Sequence, residues 1–300
     1  GDCPMRDLVG HGTHVTGVAA ADGSATGKDL PAGRVPGGAP AADLIVVKTG
    51  DGAHTPDRVL DAVAYIFERA AALGRPAVIN LSLSSPSGPH DGSTLFEQAL
   101  DALTGPGRII VAGTGNSGDH RNAIPEAVNG PNHASGVAGG PAHGMIVPGY
   151  VPTPGTDNDI VALELWYHGA DSLAVTITAP SGASVTVATG DSILIDSPDG
   201  GIGVLNAVDG PSPENGRHAM LIALADLGTP PDTGRWTLEV EPEAIHEDGA
   251  YHLWLVGHAL GGARVPPRLA GGTSNRYLVG QPATASRILA AGAHVTKHAW

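Results

Sequence analysis

The stretch Gly10-His11-Gly12-Thr13-His14-Val15-Thr16-Gly17, followed by Val18-Ala19-Ala20-Ala21, places an imidazole at the start of a run of small residues. Small side chains let neighbouring backbone approach a helix closely, so the run predicts a helix that carries His11 on a tightly packed support. Histidine titrates near neutral pH, which suits a catalytic base. A metal site at His11 and His14 is a further alternative, although the motif lacks the acidic partner of His-Glu-x-x-His.

Composition limits the classes of protein to which the chain can belong. Its 300 residues can bury one large core or two moderate ones, and a net charge of −14 argues against a nucleic-acid or anionic-membrane surface. A single cysteine, Cys3, excludes an internal disulfide. No apolar run approaches the roughly 20 residues of a membrane span, and no signal-peptide pattern opens the sequence. We therefore expect an acidic globular protein without a membrane span.

The first part of the chain alternates apolar runs with amphipathic ones. Strands are predicted at 42–48, 77–83 and 108–113, and helices at 57–73 and 93–103, the second capped by Ser93 or Thr94. This alternation predicts an α/β fold with a parallel sheet covered on both faces. Ligands of such sheets bind beyond the carboxyl ends of the strands.

The pattern changes after about residue 145. Short β-rich runs, separated by Pro/Gly/Asp turns, predict an antiparallel sandwich with strands at 160–167, 173–178, 184–188, 218–225, 235–240 and 250–256. Residues 286–293 return to a continuous apolar run. We therefore predict an α/β domain over residues 1–142 and 279–300, with a β-sandwich at 143–278 inserted into it.

Three segments, in order and spacing, resemble the subtilisin-like serine proteases (subtilases). They are the His11 motif, Val78-Ile79-Asn80-Leu81-Ser82-Leu83-Ser84-Ser85 and Val111-Ala112-Gly113-Thr114-Gly115-Asn116-Ser117-Gly118. The resemblance implies a subtilisin-like parallel sheet with flanking helices, interrupted by an antiparallel sandwich. The place of the insertion resembles a subgroup of bacterial subtilases that carry a jelly-roll-like domain there.

The resemblance also implies roles for individual residues. His11 would be the general base and Asn116 the amide donor of the oxyanion hole, while His14 would be a packed support. Ser82, Leu83 and Ser84 would form the edge along which substrate backbone adds as a strand. Ser84 stands where the family commonly has glycine, and its hydroxymethyl group would reshape the adjacent specificity pocket. The alternatives are a core histidine, a turn asparagine and an ordinary strand end.

Two members of the subtilase triad, which runs Asp, His, Ser in sequence, are not identified. Before His11 the only candidates for the acid are Asp2 and Asp7, and neither follows an apolar strand. Gly272-Thr273-Ser274 precedes the strand that should come before the nucleophile, so Ser274 is expected to be a loop residue. The expectation is an internal piece of a protease that supplies the base and the oxyanion donor but hydrolyses little alone.

The predicted function is therefore that of a secreted or cell-surface serine endopeptidase with protein or peptide substrates. The alternatives are a non-catalytic subtilase-like binding or scaffold protein, and an adhesion or carbohydrate-binding sandwich. Trp236 and Trp254 are expected to anchor the sandwich core instead of forming a carbohydrate platform. No cofactor or catalytic metal is expected. Structural calcium at Asp157-Asn158-Asp159 is possible, with a solvated turn as the alternative.

Overall fold

The computed structural model describes residues 5–25, 31–50, 52–118 and 130–293, so Asp2 and Cys3 lie outside the described residues. Its elements are, in chain order, α1 (His11–Ala20), α2 (Pro56–Ala72), β1 (Ala77–Leu81), α3 (Leu95–Leu103), β2 (Arg108–Gly113), β3 (His133–Val137), β4 (His143–Val147), β5 (Ile160–His168), β6 (Ser172–Thr178), β7 (Ser184–Val187), β8 (Ser192–Ser197), β9 (Gly200–Asn206), β10 (Arg217–Ala225), β11 (Gly234–Ala244), β12 (Ala250–Ala259), β13 (Arg268–Ala270) and β14 (Leu289–Ala291).

A parallel sheet in the order β1-β2-β14 organises the α/β part. The apolar faces of α2 and α3 pack on it and share one core, which includes Val59, Val63, Phe67, Ile79, Leu100 and Ile110. Thr94 caps α3, because its Oγ1 accepts from the backbone N–H of Glu97 while the Glu97 carboxylate accepts from the N–H of Thr94. The predicted helices and the strands at β1 and β2 are confirmed.

Two predictions about the α/β part are wrong. Residues 42–48 form no strand, and Leu44 and Val46 are 55% and 59% exposed. The parallel sheet is also not covered on both faces within the described ranges, since Val78 is 67% exposed whereas its neighbour Ile79 is buried. Apolar runs predict burial only where another element covers them, and the described residues supply a cover for one face.

Two antiparallel sheets follow, in the orders β3-β12-β5-β10-β9-β8 and β13-β4-β11-β6-β7. Their inner faces share one apolar core, in which Trp236 is fully buried as predicted. The first strand of this sandwich, β3, begins ahead of the boundary placed at residue 143. β14 follows every sandwich strand along the chain, yet it pairs with β2 of the parallel sheet.

The outer face of the six-stranded sheet contacts the loop that follows β1. Trp254 is buried, but it lies on this outer face and not in the sandwich core, because its neighbours Leu253 and Leu255 point into that core. Its ring stacks on His90 with the centroids 4.3 Å apart, and its Nε1–H donates to the Tyr277 carbonyl at 2.8 Å. Trp254 is therefore an anchor between the two parts of the molecule.

A buried carboxylate adds a second connection at this junction. Glu164 of β5 is 5% exposed and accepts hydrogen bonds from the Ser87 hydroxyl, the Gly88 N–H and the indole N–H of Trp166. These three donors compensate for the desolvation of the charge. The loop after β1 is thus fixed by side chains of the sandwich.

Two histidines form a buried pair beside Trp254. Nε2 of His133 and Nδ1 of His252 are 3.0 Å apart and share a hydrogen bond, and His133 is 1% exposed. Burial, reinforced by the neighbouring His252, lowers the pKa of His133 to about 4. Burial also lowers the pKa of His252. Both rings are therefore neutral at neutral pH.

Because of the buried pair His133–His252, we expect the protein to lose stability in mild acid. Histidine in the unfolded chain titrates near pH 6.5, so between about pH 6.5 and 4 the unfolded chain binds more protons than the folded one. The free energy of unfolding should therefore fall as the pH is lowered through this window, as measured by urea unfolding. His133→Phe should flatten the dependence, because it removes the side chain whose protonation the folded protein disfavours. His246→Phe, at an exposed site, should leave it unchanged.

Within the described ranges, no helix combines the length and the apolar character that crossing a membrane requires.

Candidate active site

The carboxyl ends of β1 and β2 lie at the same edge of the parallel sheet, and a cavity of about 530 Å³ opens there. Ser82 directly follows β1, and Asn116 lies three residues beyond the end of β2. All five residues predicted from the sequence line this cavity, which is bounded by His11, Ser82, Leu83, Ser84, Pro86, Gly113, Gly115, Asn116, Ser117, Asn132, Leu255, Val256, Gly257 and His258.

His11 is brought to the cavity by the first turn of α1. Gly10 precedes the helix with φ 87°, a left-handed conformation that glycine adopts without steric cost. The Asp7 carboxylate accepts hydrogen bonds from the N–H groups of Val9, Gly10 and Thr13, the last two at 2.7 Å, and from the Thr13 hydroxyl. Asp7 therefore organises the turn that presents His11.

The hydrogen bonds of Asp7 explain its charge state and its role. The N–H of Thr13, followed by the Thr13 hydroxyl and the Gly10 N–H, stabilises the carboxylate and holds the pKa of Asp7 well below its usual range. A negative charge at a helix N-terminus is also favourable. Asp7 thus caps the first turn of α1 from the segment that precedes the helix.

The imidazole of His11 reaches across to the end of β1. Its Nε2–H donates to the carbonyl oxygen of Ser82 at 3.0 Å. His14, one turn further along, is exposed, so its predicted role as a packed support is wrong for the described structure. The backbone at Gly37 packs closely against the C-terminal end of α1. A Cβ atom on Gly37 would lie only 2.6 Å from the backbone nitrogen of Ala20. The small residues of α1 permit that close approach.

Ser84 fills the space between the end of β1 and the loop after β2. A Cβ on Gly115 would lie 2.7 Å from Oγ of Ser84, and Gly115 has φ 96°, so glycine is required there on both counts. On the other side, the N–H of Ser85 donates to the carbonyl oxygen of Gln281 at 2.9 Å. The Ser84 hydroxymethyl group is thus part of the wall that joins the predicted substrate edge to Asn116.

The loop that carries Asn116 is tied to the sandwich by two backbone hydrogen bonds. The N–H of Asn132 donates to the carbonyl oxygen of Ser117 at 2.9 Å, and the carbonyl oxygen of Asn132 accepts from the N–H of Leu255 at 2.8 Å. Sequence reasoning missed Asn132 and residues 255–258. No local pattern indicates them, because the topology of the sandwich alone brings β12 beside the loop.

Other residues considered from the sequence lie elsewhere. Ser274 does not line the cavity, and its Oγ accepts from the N–H of Arg276 in a local turn. Asp159 is buried and accepts from the Thr153 hydroxyl and the Gly261 N–H, which supports a turn role for that loop. Among the described residues, no group of three His, Cys, Asp or Glu side chains is arranged to hold a metal ion.

Comparisons with known sequences find similarity in the first half of the chain. Residues 4–147 match the Subtilase family. Subtilisin from Bacillus sp. (strain TA39) is 40% identical over 120 residues, which are 39% of this chain and 26% of that protein. Subtilisin BL from Lederbergia lenta is 38% identical over 127 residues, or 42% of this chain and 41% of that protein. The match thus spans less than half the length of these relatives.

A comparison of structures extends over nearly the whole chain. The CspB protease of Clostridium perfringens superposes with a TM-score of 0.73 at 21% identity, and the match covers 96% of this chain and 56% of that one. At this identity the likeness establishes the fold alone. Because so much of this chain is covered, the shared fold includes the sandwich as well as the α/β part.

Proposed function

We propose, on the premise that residues 4–147 belong to the subtilase family, that this chain forms the substrate cleft of a serine-type endopeptidase. The observation that carries the proposal is the convergence of His11, Asn116 and the segment Ser82–Ser84 on one cavity. The homology supports serine-type peptidase chemistry, while the activity of the whole protein is our inference. The sandwich between β2 and β14 would be the jelly-roll-like insertion.

His11 would act as the general base. Its ring is exposed in the cavity, and the bond from Nε2 to the Ser82 carbonyl fixes the orientation of the imidazole. In the reaction, Nε2, released from the Ser82 carbonyl and in the tautomer with the ring proton on Nδ1, would take the proton of a serine hydroxyl as that oxygen attacks the scissile carbonyl, and would then return it to the leaving amine. The serine and the triad aspartate would be contributed by the rest of the active site.

Asn116 would stabilise the oxyanion of the tetrahedral intermediate. It lies on the exposed loop just beyond β2, and that loop is held by the bond from Asn132 to Ser117 and by the tight contact of Gly115 with Ser84. A donor fixed in advance costs no reorganisation when the charge develops. This preorganisation is what an oxyanion hole requires.

The segment Ser82–Ser84 would bind substrate backbone. It continues β1 beyond its last paired residue, so its peptide groups are at the edge of the cavity, where an extended peptide can add as a strand. A substrate strand would compete with His11 for the carbonyl of Ser82, because both use that acceptor. Binding would then free Nε2 of His11 for the reacting serine.

Asn116→Ala provides a test of this assignment in the full-length protein that contains this chain. We expect kcat for hydrolysis of an unstructured protein substrate to fall by about 100- to 1,000-fold, the known effect of removing an oxyanion-hole donor in a subtilisin, with little change in KM. Steady-state kinetics measure both constants. A matched amide control is Asn215→Ala, a site outside the cavity, which should leave kcat within a few-fold.

An Asn116→Ala protein with unchanged kcat would contradict the oxyanion role. A folded full-length protein that binds peptides but hydrolyses none would instead favour a non-catalytic, subtilase-like scaffold. The family also supports secretion, and protein or peptide substrates, for the whole protein. A need for structural calcium remains a prediction that chelation followed by thermal unfolding would test.

A further inference from the structure

The sandwich contributes its own wall to the proposed substrate cleft. Residues 255–258, at the end of β12, line the same cavity as His11 and Ser82–Ser84. They are held in place by the hydrogen bond from the Leu255 N–H to the Asn132 carbonyl. One side of the cleft is therefore made by a different layer of the fold from the side that carries the proposed catalytic groups.

A β-bulge determines which residues of β12 face the cleft. Leu255 pairs with Leu163 and Gly257 with the adjacent Ala162, so Val256 is an extra residue in the strand. A bulge of this kind re-aims side chains and ends regular pairing. Leu255 points into the sandwich core, whereas Val256 and Gly257 line the cavity on the outer side, next to the Trp254 junction.

Gly257 leaves unfilled space in this wall. A Cβ built on it would meet no heavy atom within 4 Å, and its φ lies outside the left-handed region. A side chain at this position would therefore be neither strained nor in collision with the protein. It would extend into space that a substrate side chain can occupy.

Among the described residues that line the cavity there is no Asp, Glu, Lys or Arg. The ionisable side chains among these described residues are those of His11 and His258, and desolvation lowers the pKa of His258, which disfavours its charged form. A charged substrate side chain against this wall would lose water without gaining a counter-ion. An uncharged side chain would lose little.

We propose that the bulge Val256-Gly257 is a specificity-determining wall of the cleft, which selects uncharged substrate side chains. The proposal rests on the proposed peptidase function, because it assigns a subsite of the same cleft. It predicts that charge placed at Gly257 changes which substrate side chain is preferred.

The test compares Gly257→Glu with Gly257→Lys in the full-length protein. Peptides that differ only in Leu, Lys or Glu at the varied position are assayed for kcat/KM and, by fluorescence anisotropy, for Kd. The unchanged protein should favour Leu. Gly257→Glu should raise the Lys:Glu preference about 5-fold and Gly257→Lys should lower it about 5-fold, the size of one partly exposed charge pair. Gly149→Glu is the matched control, because Gly149 has equal free space but lies outside the cavity.

Each outcome has a distinct meaning. Unchanged preferences in active Gly257 variants would overturn the specificity wall and leave the peptidase function intact. Absence of hydrolysis, together with the predicted changes in Kd, would overturn the peptidase function alone. If either variant unfolds, Val256→Ala replaces it, and enlargement of the subsite should shift the preference from Leu towards Phe. Failure to bind any of the peptides would overturn both proposals.

Discussion

His11→Ala is expected to reduce kcat for peptide hydrolysis by about a million-fold in the full-length protein, the loss known for removal of a subtilisin triad histidine. The reason is that the serine would have no base to take its proton and no acid to protonate the leaving amine. KM should change much less and in the downward direction, because the substitution removes the ring that competes with substrate for the Ser82 carbonyl. Kinetics on a peptide substrate measure the effect.

Folding should not be the cause of this loss. His11 is exposed, and alanine is a good helix former at the start of α1, so the thermal midpoint of His11→Ala should stay close to that of the unchanged protein. His246→Ala serves as the matched control, because it removes an exposed imidazole from the loop between β11 and β12, outside the cavity. Retention of most activity in His11→Ala would show that this histidine is not the base.

Trp254→Ala is expected to destabilise the protein by about 3–5 kcal/mol, the usual cost of removing a large buried aromatic side chain. The indole is 1% exposed, stacks on His90 and donates a hydrogen bond to the Tyr277 carbonyl. Its loss would leave a cavity between the sandwich and the loop after β1, and an unpaired carbonyl within it. Urea unfolding, followed by circular dichroism, measures the change.

A milder substitution separates packing from hydrogen bonding at this junction. Trp254→Phe keeps an aromatic ring against His90 but loses the donor to Tyr277, so it should cost less than Trp254→Ala. Trp166→Ala is a comparison on the same sheet, where the side chain is only partly buried and a smaller loss is expected. Equal stability of Trp254→Ala and the unchanged protein would mean that Trp254 does not hold the two parts together.

The sequence contains enough information to predict which ends of strands build the cleft. The runs that became β1 and β2 are predominantly apolar, and each is followed by polar residues, so parallel pairing brings Ser82 and Asn116 to one edge. His11 could be added because its surrounding motif is long and specific. Chain order and local pattern therefore suffice for this half of the site.

The other half of the cleft depends on contacts between distant parts of the sequence, which local patterns do not encode. Asn132 and Gly257 reach the cleft through the pairing of β12 with β3 and β5, which is set by the whole sandwich. The exposure of His14 and Val46 was mispredicted for a related reason, since an apolar or small-residue run is buried only if another element covers it. Trp254 was correctly expected to be buried but was assigned to the wrong face of its strand.

The most direct test of the central claim is covalent labelling of the full-length protein with a fluorophosphonate, which reacts with a serine activated by a neighbouring base. Mass spectrometry would compare the unchanged protein with His11→Ala. Our account predicts that one serine is labelled in the unchanged protein and that the labelling is lost when His11 is replaced. No labelling of the folded unchanged protein, or equal labelling of both, would contradict it.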